Sequence, residues 1–342
     1  MARSKRTRGI PKLEPVPLTL SFTLSNPVVL PGSPTVQRYF IDISQCASLA
    51  SRKFLRQGLN WGFAGLKVFD FTAGTIAVNT LPNSWVMSNA WHKSFAVWNR
   101  MNNEAMEENE SIRPRFLDFK IYADEGHHSG GFGVNQLPRS STGATAAVGE
   151  WDASKAVITA DGNPNLGASL EFIATGANYP GLGASGLNAV SLIEGYAASR
   201  RLPNIADPNM PDDVSDTSGT TPENWMTAVF NEGTVQDEAI LTDLLTENNI
   251  APYPFENDGV NFDTMYPGGA NQLEGLQIHD VGTISATTVG GMTRLKGGNA
   301  PCGLLEITCQ ATDPSETMSP FVILELIPGN MRGYLAEPMQ DM

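Results

Sequence analysis

Extended apolar segments occupy both ends of the chain, and a helical period lies between them. Residues 18–24, 36–43, 59–69 and 75–78 are rich in β-branched and aromatic side chains, which predicts strands. The strongest of these carries VQRYFIDI. The C-terminal part returns to the same pattern at 279–289, at 304–310 (LLEITCQ) and at 321–327 (FVILELI). Joined by ATDPSETMSP, the last two are expected to form an antiparallel pair, with nearly continuous apolar runs that imply burial on both faces.

From near Ser88 the period changes. Trp91, Phe95, Trp98, Met101 and Ala105 recur at intervals of three or four, predicting a helix of about twenty residues with one apolar stripe. Glu104, Glu107, Glu108 and Glu110 crowd its far end, an unfavourable place beside the helix dipole, and Pro114 stops it. Such a helix is expected to lie across a sheet as a crossover, followed by a strand at 116–123 (FLDFKIYA). From 126 to 188 the chain turns rich in Gly, Ala, Ser and Asn, with short strand candidates at 156–158 and 170–173, which predicts long surface loops in place of a second core. Residues 203–222 form a turn cluster, and 223–248 read as a helix in two pieces around Gly233.

Strands at both termini with helices and loops between them predict an all-β fold with inserted helices, a single eight-stranded antiparallel jelly roll. A double jelly roll is the alternative, but the central third offers too few strands to supply half of a second roll. Pro11, Pro15 and Pro17 deny a ladder to the first residues, so 1–17 are expected to be a disordered basic arm. Residues 18–342 would then be one shell domain with long surface insertions, chiefly 126–280.

Composition agrees. In 342 residues, 41% are hydrophobic, enough for a large core, while 33 Gly and 23 Pro favour a β body with long loops. Charge adds something new, because it is segregated. Five of the 22 Lys+Arg residues fall within the first twelve positions, whereas residues 202–293 hold fifteen Asp or Glu and no Lys or Arg. The net charge of -14 therefore averages a basic tip suited to a polyanion and an acidic stretch suited to solvent. No apolar run approaches the length of a membrane span, and the basic N-terminus turns to IPKLEPVPLTL, unlike a secretory signal. Cys46, Cys302 and Cys309 lack zinc spacing and read as reduced, buried thiols, compatible with assembly inside a cell.

Arg3, Lys5, Arg6, Arg8 and Lys12 are the candidate nucleic-acid-binding residues, able to neutralise about five phosphates irrespective of sequence. The competing readings of that tip are a solubilising tail and a nuclear-targeting signal. His127 and His128 in ADEGHHSGG, with Asp124 beside them, are the one cluster with metal-ligand chemistry, though a solvated loop explains them as well. His92 opens the long helix and is expected to be half-buried and structural. The acids of 202–293 can pool to bind calcium at a subunit contact, against the plainer reading of a solvated exterior. GLGASG at 181–186 lacks the spacing and the Lys of a phosphate loop, and no nucleophile elbow or dinucleotide signature is present.

The helix WHKSFAVWNRMNNEAM, the following RPRFLDFKIYAD and the closing FVILELIPGNMRGYLAEPMQDM resemble capsid proteins of small circular single-stranded DNA viruses, particularly environmental and marine ones. The likeness covers residues 35–125 and 300–342. It implies a jelly-roll capsid protein that assembles many copies into an icosahedral shell, with the basic arm facing a single-stranded DNA genome and variable loops available to a host receptor. It implies no enzyme and no cofactor, and it implies a virion assembled inside the host cell, with the nucleus as one site of assembly. The arm here is shorter than such proteins usually carry, so it would act through copy number. Two other functions remain open on the residues alone: a carbohydrate-binding β-sandwich that uses exposed tryptophans, and a metal-dependent hydrolase that uses His127 and His128.

Overall fold

The computed structural model describes residues 14–29, 36–107, 118–160, 163–179, 181–199, 225–229, 275–285 and 291–342. In chain order its first half contains β1 (Thr19–Thr23), β2 (Val36–Asp42), α1 (Ile43–Ser51), β3 (Leu59–Phe69), β4 (Gly74–Thr80) and α2 (Trp85–Met106). Then come α3 (Glu125–Gly130), β5 (Lys155–Ala160), β6 (Asn163–Ile173), β7 (Asn188–Ser191) and α4 (Leu192–Ser199). The chain closes with β8 (Gln277–Ile284), β9 (Met292–Ala300), β10 (Leu304–Ala311) and β11 (Phe321–Leu326).

Two four-stranded antiparallel sheets face each other as a β-sandwich. One runs β1–β11–β3–β9, and the other β2–β10–β4–β8. Alternation explains the packing: Tyr39 and Ile41 of β2, Ile76 and Val78 of β4, and Leu305, Ile307 and Cys309 of β10 point inward. Val322 and Leu324 of β11, with Leu20 and Phe22 of β1, meet them from the opposite sheet. Burying each such side chain contributes roughly 1.5–3 kcal/mol. In β3 the inward parity changes from Leu59, Trp61 and Phe63 to Leu66 and Val68. A β-bulge at Ala64 supplies the extra residue, and Gly65 takes φ +152 there, with Leu295 O only 2.8 Å from where a Cβ would stand.

The chain leaves the sandwich after β4 and rejoins it at β8, and the described residues between them pack on the outer face of the second sheet. Ser84 caps α2 by accepting from Met87 N, and Trp91, Trp98 and Phe119 join Phe40 and Leu304 in a second buried cluster. The stretch expected as surface loops instead holds a three-stranded sheet, β5–β6–β7, with β6 and β7 parallel. Leu170 and Phe172 of β6 and Val190 of β7 belong to that second cluster. Its small residues permit close packing where composition alone implies loops.

Three further expectations change. The last two strands do not pair with each other: β10 lies between β2 and β4, and β11 between β1 and β3. The nine-residue connection at 312–320 is long enough to cross the ~10 Å between sheets, and crossing lets both strands be central. Residues 118–123 form no regular strand; the side chain of Gln57 both accepts from Ile121 N and donates to Ile121 O, taking the place of a neighbouring strand. His92 is exposed, because the stripe of α2 turns Trp91 inward. The helical expectation at 223–248 reaches the described residues only as one turn, Trp225–Ala228. All three cysteines are buried free thiols.

Candidate functional site

The basic tip, Arg3 to Lys12, lies outside the described residues, but the point where it joins the body is defined. Glu14 pairs with Lys53, whose Nζ also donates to Arg332 O at 3.3 Å. Tyr334 donates its hydroxyl to Pro17 O at 3.1 Å, and Leu326 N donates to Leu18 O at 2.7 Å. The arm expected to run to residue 17 is therefore seated from Glu14 onward, against the turn at 331–334. Gly333 makes this seat possible, since a Cβ there would stand 2.8 Å from Glu14 O and from Val16. Lys53 and Arg332 both act on Glu14 and hold its carboxyl below the usual carboxylate range, so two cations stand at the root of the tip.

His127 and His128 are completely buried. Asp124 caps the short helix that carries them, accepting from His127 N at 2.9 Å. His127 Nδ1 accepts from Ala123 N at 3.1 Å, so Nε2 carries the hydrogen and donates to Asn135 Oδ1 at 2.7 Å. The ring stacks on Phe40 at 4.4 Å, and burial pushes its pKa down to about 4. Both nitrogens are thereby committed, leaving no lone pair for a metal. His128 Nε2 stands 3.0 Å from Glu171 Oε2 without the alignment of a hydrogen bond. Among the described residues no group of three or more His, Cys, Asp or Glu is placed to hold a metal. Of the acids in 202–293, Asp280 is described, and it accepts from Lys296 N at 2.8 Å; the rest lie outside the described residues.

Two polar hubs on the outer face of β2 escaped the sequence reading. Arg38 donates from Nε to Glu306 at 2.9 Å and from Nη2 at 2.5 Å, and also pairs with Asp124. Burial disfavours the guanidinium charge, yet the two carboxylates more than offset it and Arg38 stays protonated. Burial lifts Glu306 above the ordinary carboxylate range against the pull of Arg38. Around them is a cleft of about 480 Å³ whose wall also includes Asn79, Glu125 and Asn178. At the end of β2, Asp42 accepts from Gln45 N, Gln57 Nε2 and Trp151 Nε1. Burial raises its pKa to about 7 although those three donors pull it down. The available signal was a charged residue inside an apolar strand: Arg38 and Asp42 in VQRYFIDI, Glu306 in LLEITCQ.

No family model, curated protein or solved structure matches the chain.

Proposed function

We propose that the chain is the structural subunit of a viral shell, built on a single eight-stranded jelly roll, with the basic tip turned toward the packaged nucleic acid. The observation that carries this reading is the winding order. Successive strands β1, β2, β3 and β4 alternate between the sheets, β8 stays beside β4, and β9, β10 and β11 alternate again. That path gives the paired orders β1–β11–β3–β9 and β2–β10–β4–β8, which is how two interlocked Greek keys wind into a roll. A second roll finds no support, because the insertion between β4 and β8 contributes only the mixed three-stranded sheet among the described residues.

Jelly rolls serve capsids, lectins and cupins alike, so winding alone does not select a function. Charge favours the shell: five cations precede a body whose longest Lys/Arg-free stretch is acidic. Exposed apolar side chains point the same way. Ile278 and Val281 on the edge strand β8, and Phe71 at 79% exposure in the β3–β4 turn, are surfaces that neighbouring copies would cover. Sugar binding loses its motive, since five of the six tryptophans are buried and only Trp85 is exposed. The hydrolase reading loses its ligand in His127. The proposed partners are thus further copies of the chain and a single-stranded DNA genome, with no catalytic role and no cofactor, in a virion assembled within the host cell.

Negative-stain microscopy and light scattering of purified full-length protein test this. Uniform closed particles of many subunits are expected; a monodisperse monomer at every salt concentration would overturn it. Deleting residues 2–12 is expected to lower packaged nucleic acid while particles still form, and unchanged nucleic-acid content would remove the role of the tip.

A further inference from the structure

The two ends of β3 differ. Beyond its last residue, Phe69, the chain turns and Phe71 stands 79% exposed, more than any other large apolar side chain described. Around its first residue, Leu59, lies a cleft of about 470 Å³. Phe54, Phe95, Met331 and Pro338 line it and are each half-buried, so part of its apolar wall is open to an occupant. A space of about 150 Å³ already accepts a benzene ring. Eleven strand residues separate the two features, which at about 3.3 Å per residue places them roughly 30 Å or more apart. Phe71 of one chain therefore does not reach the cleft of the same chain.

Charge divides between the ends in the same way. Thr312 N donates to Ala73 O at 2.9 Å, which fastens the connection after β10 to the turn that carries Phe71. That connection bears Asp313 and Glu316, both exposed. Ser315 donates to Asp313 from Oγ at 2.7 Å and from N at 2.8 Å, holding its carboxyl below the usual carboxylate range and ionised at neutral pH. The cleft instead has Arg56 and Arg332 among its lining residues, both exposed. Asp118 is the one carboxylate in that lining, and Lys120 Nζ lies 3.4 Å from it. An aromatic knob beside acids and an apolar hole beside guanidiniums are complementary in both packing and sign.

We propose that the cleft receives Phe71 of a second copy of this chain, with Asp313 and Glu316 of that copy set against Arg56 and Arg332. The inference rests on the shell reading and names one contact within it. Contact between unlike patches is heterologous: each chain offers its knob to one neighbour and its cleft to another, so contacts pass from copy to copy, as a closed shell requires. A buried aromatic anchor inside a charged rim is where the energy of such a contact concentrates. A small apolar ligand would fill the hole but would leave Phe71 uncovered.

Sedimentation velocity of full-length protein over a concentration series measures the association, and negative-stain microscopy shows its product. Phe71→Ser is expected to raise the concentration for half-assembly at least about tenfold, and so is Arg56→Glu with Arg332→Glu. Adding Asp313→Lys and Glu316→Lys to the two arginine substitutions restores opposite signs, and is expected to bring assembly back to within about threefold of wild type. Every substituted side chain is exposed. Thermal melting confirms that each variant folds, and Phe71→Ser still decides the matter if the fourfold variant does not. Unchanged assembly in folded Phe71→Ser, or no recovery in a folded fourfold variant, sinks the inference. If the arginine variant fails to assemble while Phe71→Ser assembles normally, the cleft has another occupant and the inference is equally lost. Particles that form normally in all these variants leave the shell reading standing without this contact. Wild type that associates through Phe71 but stops at short oligomers keeps the contact and removes the shell.

Discussion

The two faces of the sheet β2–β10–β4–β8 are built from the same strands by different chemistry. Inward, Tyr39, Ile41, Val78, Leu305 and Ile307 make an apolar layer shared with the opposite sheet. Outward, the alternate residues Arg38, Phe40, Asp42, Asn79, Leu304 and Glu306 mix charge and apolar surface beneath the long insertion. Both faces are buried, so burial does not distinguish them. What differs is how contacts depend on one another. Apolar packing is nondirectional and adds up side chain by side chain. The outer hub holds three charges whose desolvation is offset only while all are present. The inner face gives the sandwich its stability, and the outer face dictates how the described part of the insertion sits on it.

Removing one member from each face sharpens the contrast most. Arg38→Met is expected to destabilise by about 3–5 kcal/mol, because Glu306 and Asp124 are left buried without a counter-charge. Ile307→Ala is expected to lose about 2–5 kcal/mol through lost transfer energy and the cavity left behind. The two similar losses part company on further substitution. Adding Glu306→Leu and Asp124→Ser to Arg38→Met should bring stability back to within about 1–2 kcal/mol of wild type, Ser being able to keep the cap of α3. Denaturant titration of single and combined variants reads this directly. If the triple variant is as unstable as the sum of its parts, the outer hub is not a coupled unit and the comparison collapses.

A pH series separates the faces by a second route, because Asp42 and His127 on the outer side titrate below neutral pH, whereas burial pushes the inward Tyr39 and Cys309 up, far above that range. Asp42, with its folded pKa raised to about 7, stays protonated in the folded protein while the unfolded chain ionises. Its contribution is therefore a penalty that grows as pH rises from about 4 to 7, by about 1.4 kcal/mol per unit. His127 acts in the opposite sense. Its folded pKa is lowered to about 4, so the unfolded chain takes up a proton first, and the stability lost as pH falls from about 6.5 to 4 has a similar slope. The two contributions oppose each other over that window. Asp42→Asn should unmask the histidine: its stability relative to wild type is expected to improve by about 1.4 kcal/mol per pH unit between pH 4 and 7. A difference that stays constant with pH would mean Asp42 is ionised in the folded protein.

The inner face was legible in the sequence and the outer face was not. Alternation in VQRYFIDI and the runs in LLEITCQ and FVILELI located β2, β10 and β11 within a residue or so, and the spacing of Trp91, Phe95 and Trp98 located α2. Periodicity reports which positions are apolar, and the inner layer consists of little else. Pairing is a different matter, since β10 and β11 are neighbours in sequence but lie in different sheets, and no local pattern records a crossing. The hubs unite residues as distant as Arg38, Asp124 and Glu306, and a charged side chain inside a strand announces a need for a partner without naming it. Trp91 reads as a core residue of the helical stripe, and the structure places it in the second buried cluster.

The smallest expected effect uses the same chemical groups as the largest, placed in solvent. Arg100 donates from Nε to Glu104 at 2.9 Å one turn apart on α2, with side chains 55% and 50% exposed. In water the attraction is weak and ordering two long side chains costs entropy, so such a pair contributes about 0.3–0.5 kcal/mol. Glu104 also stands in the last turn of its helix, where a negative charge is disfavoured by a comparable amount. Glu104→Gln removes both terms, and the two nearly cancel. Its midpoint of denaturation is expected to stay within about 0.5 kcal/mol of wild type and to show little dependence on salt between 50 and 500 mM, where about 10 Å screening already weakens an exposed pair. A loss as large as that of Arg38→Met would mean that an ion pair's energy here follows the residues forming it more than the water excluded from it, and the contrast between the two faces would need another cause.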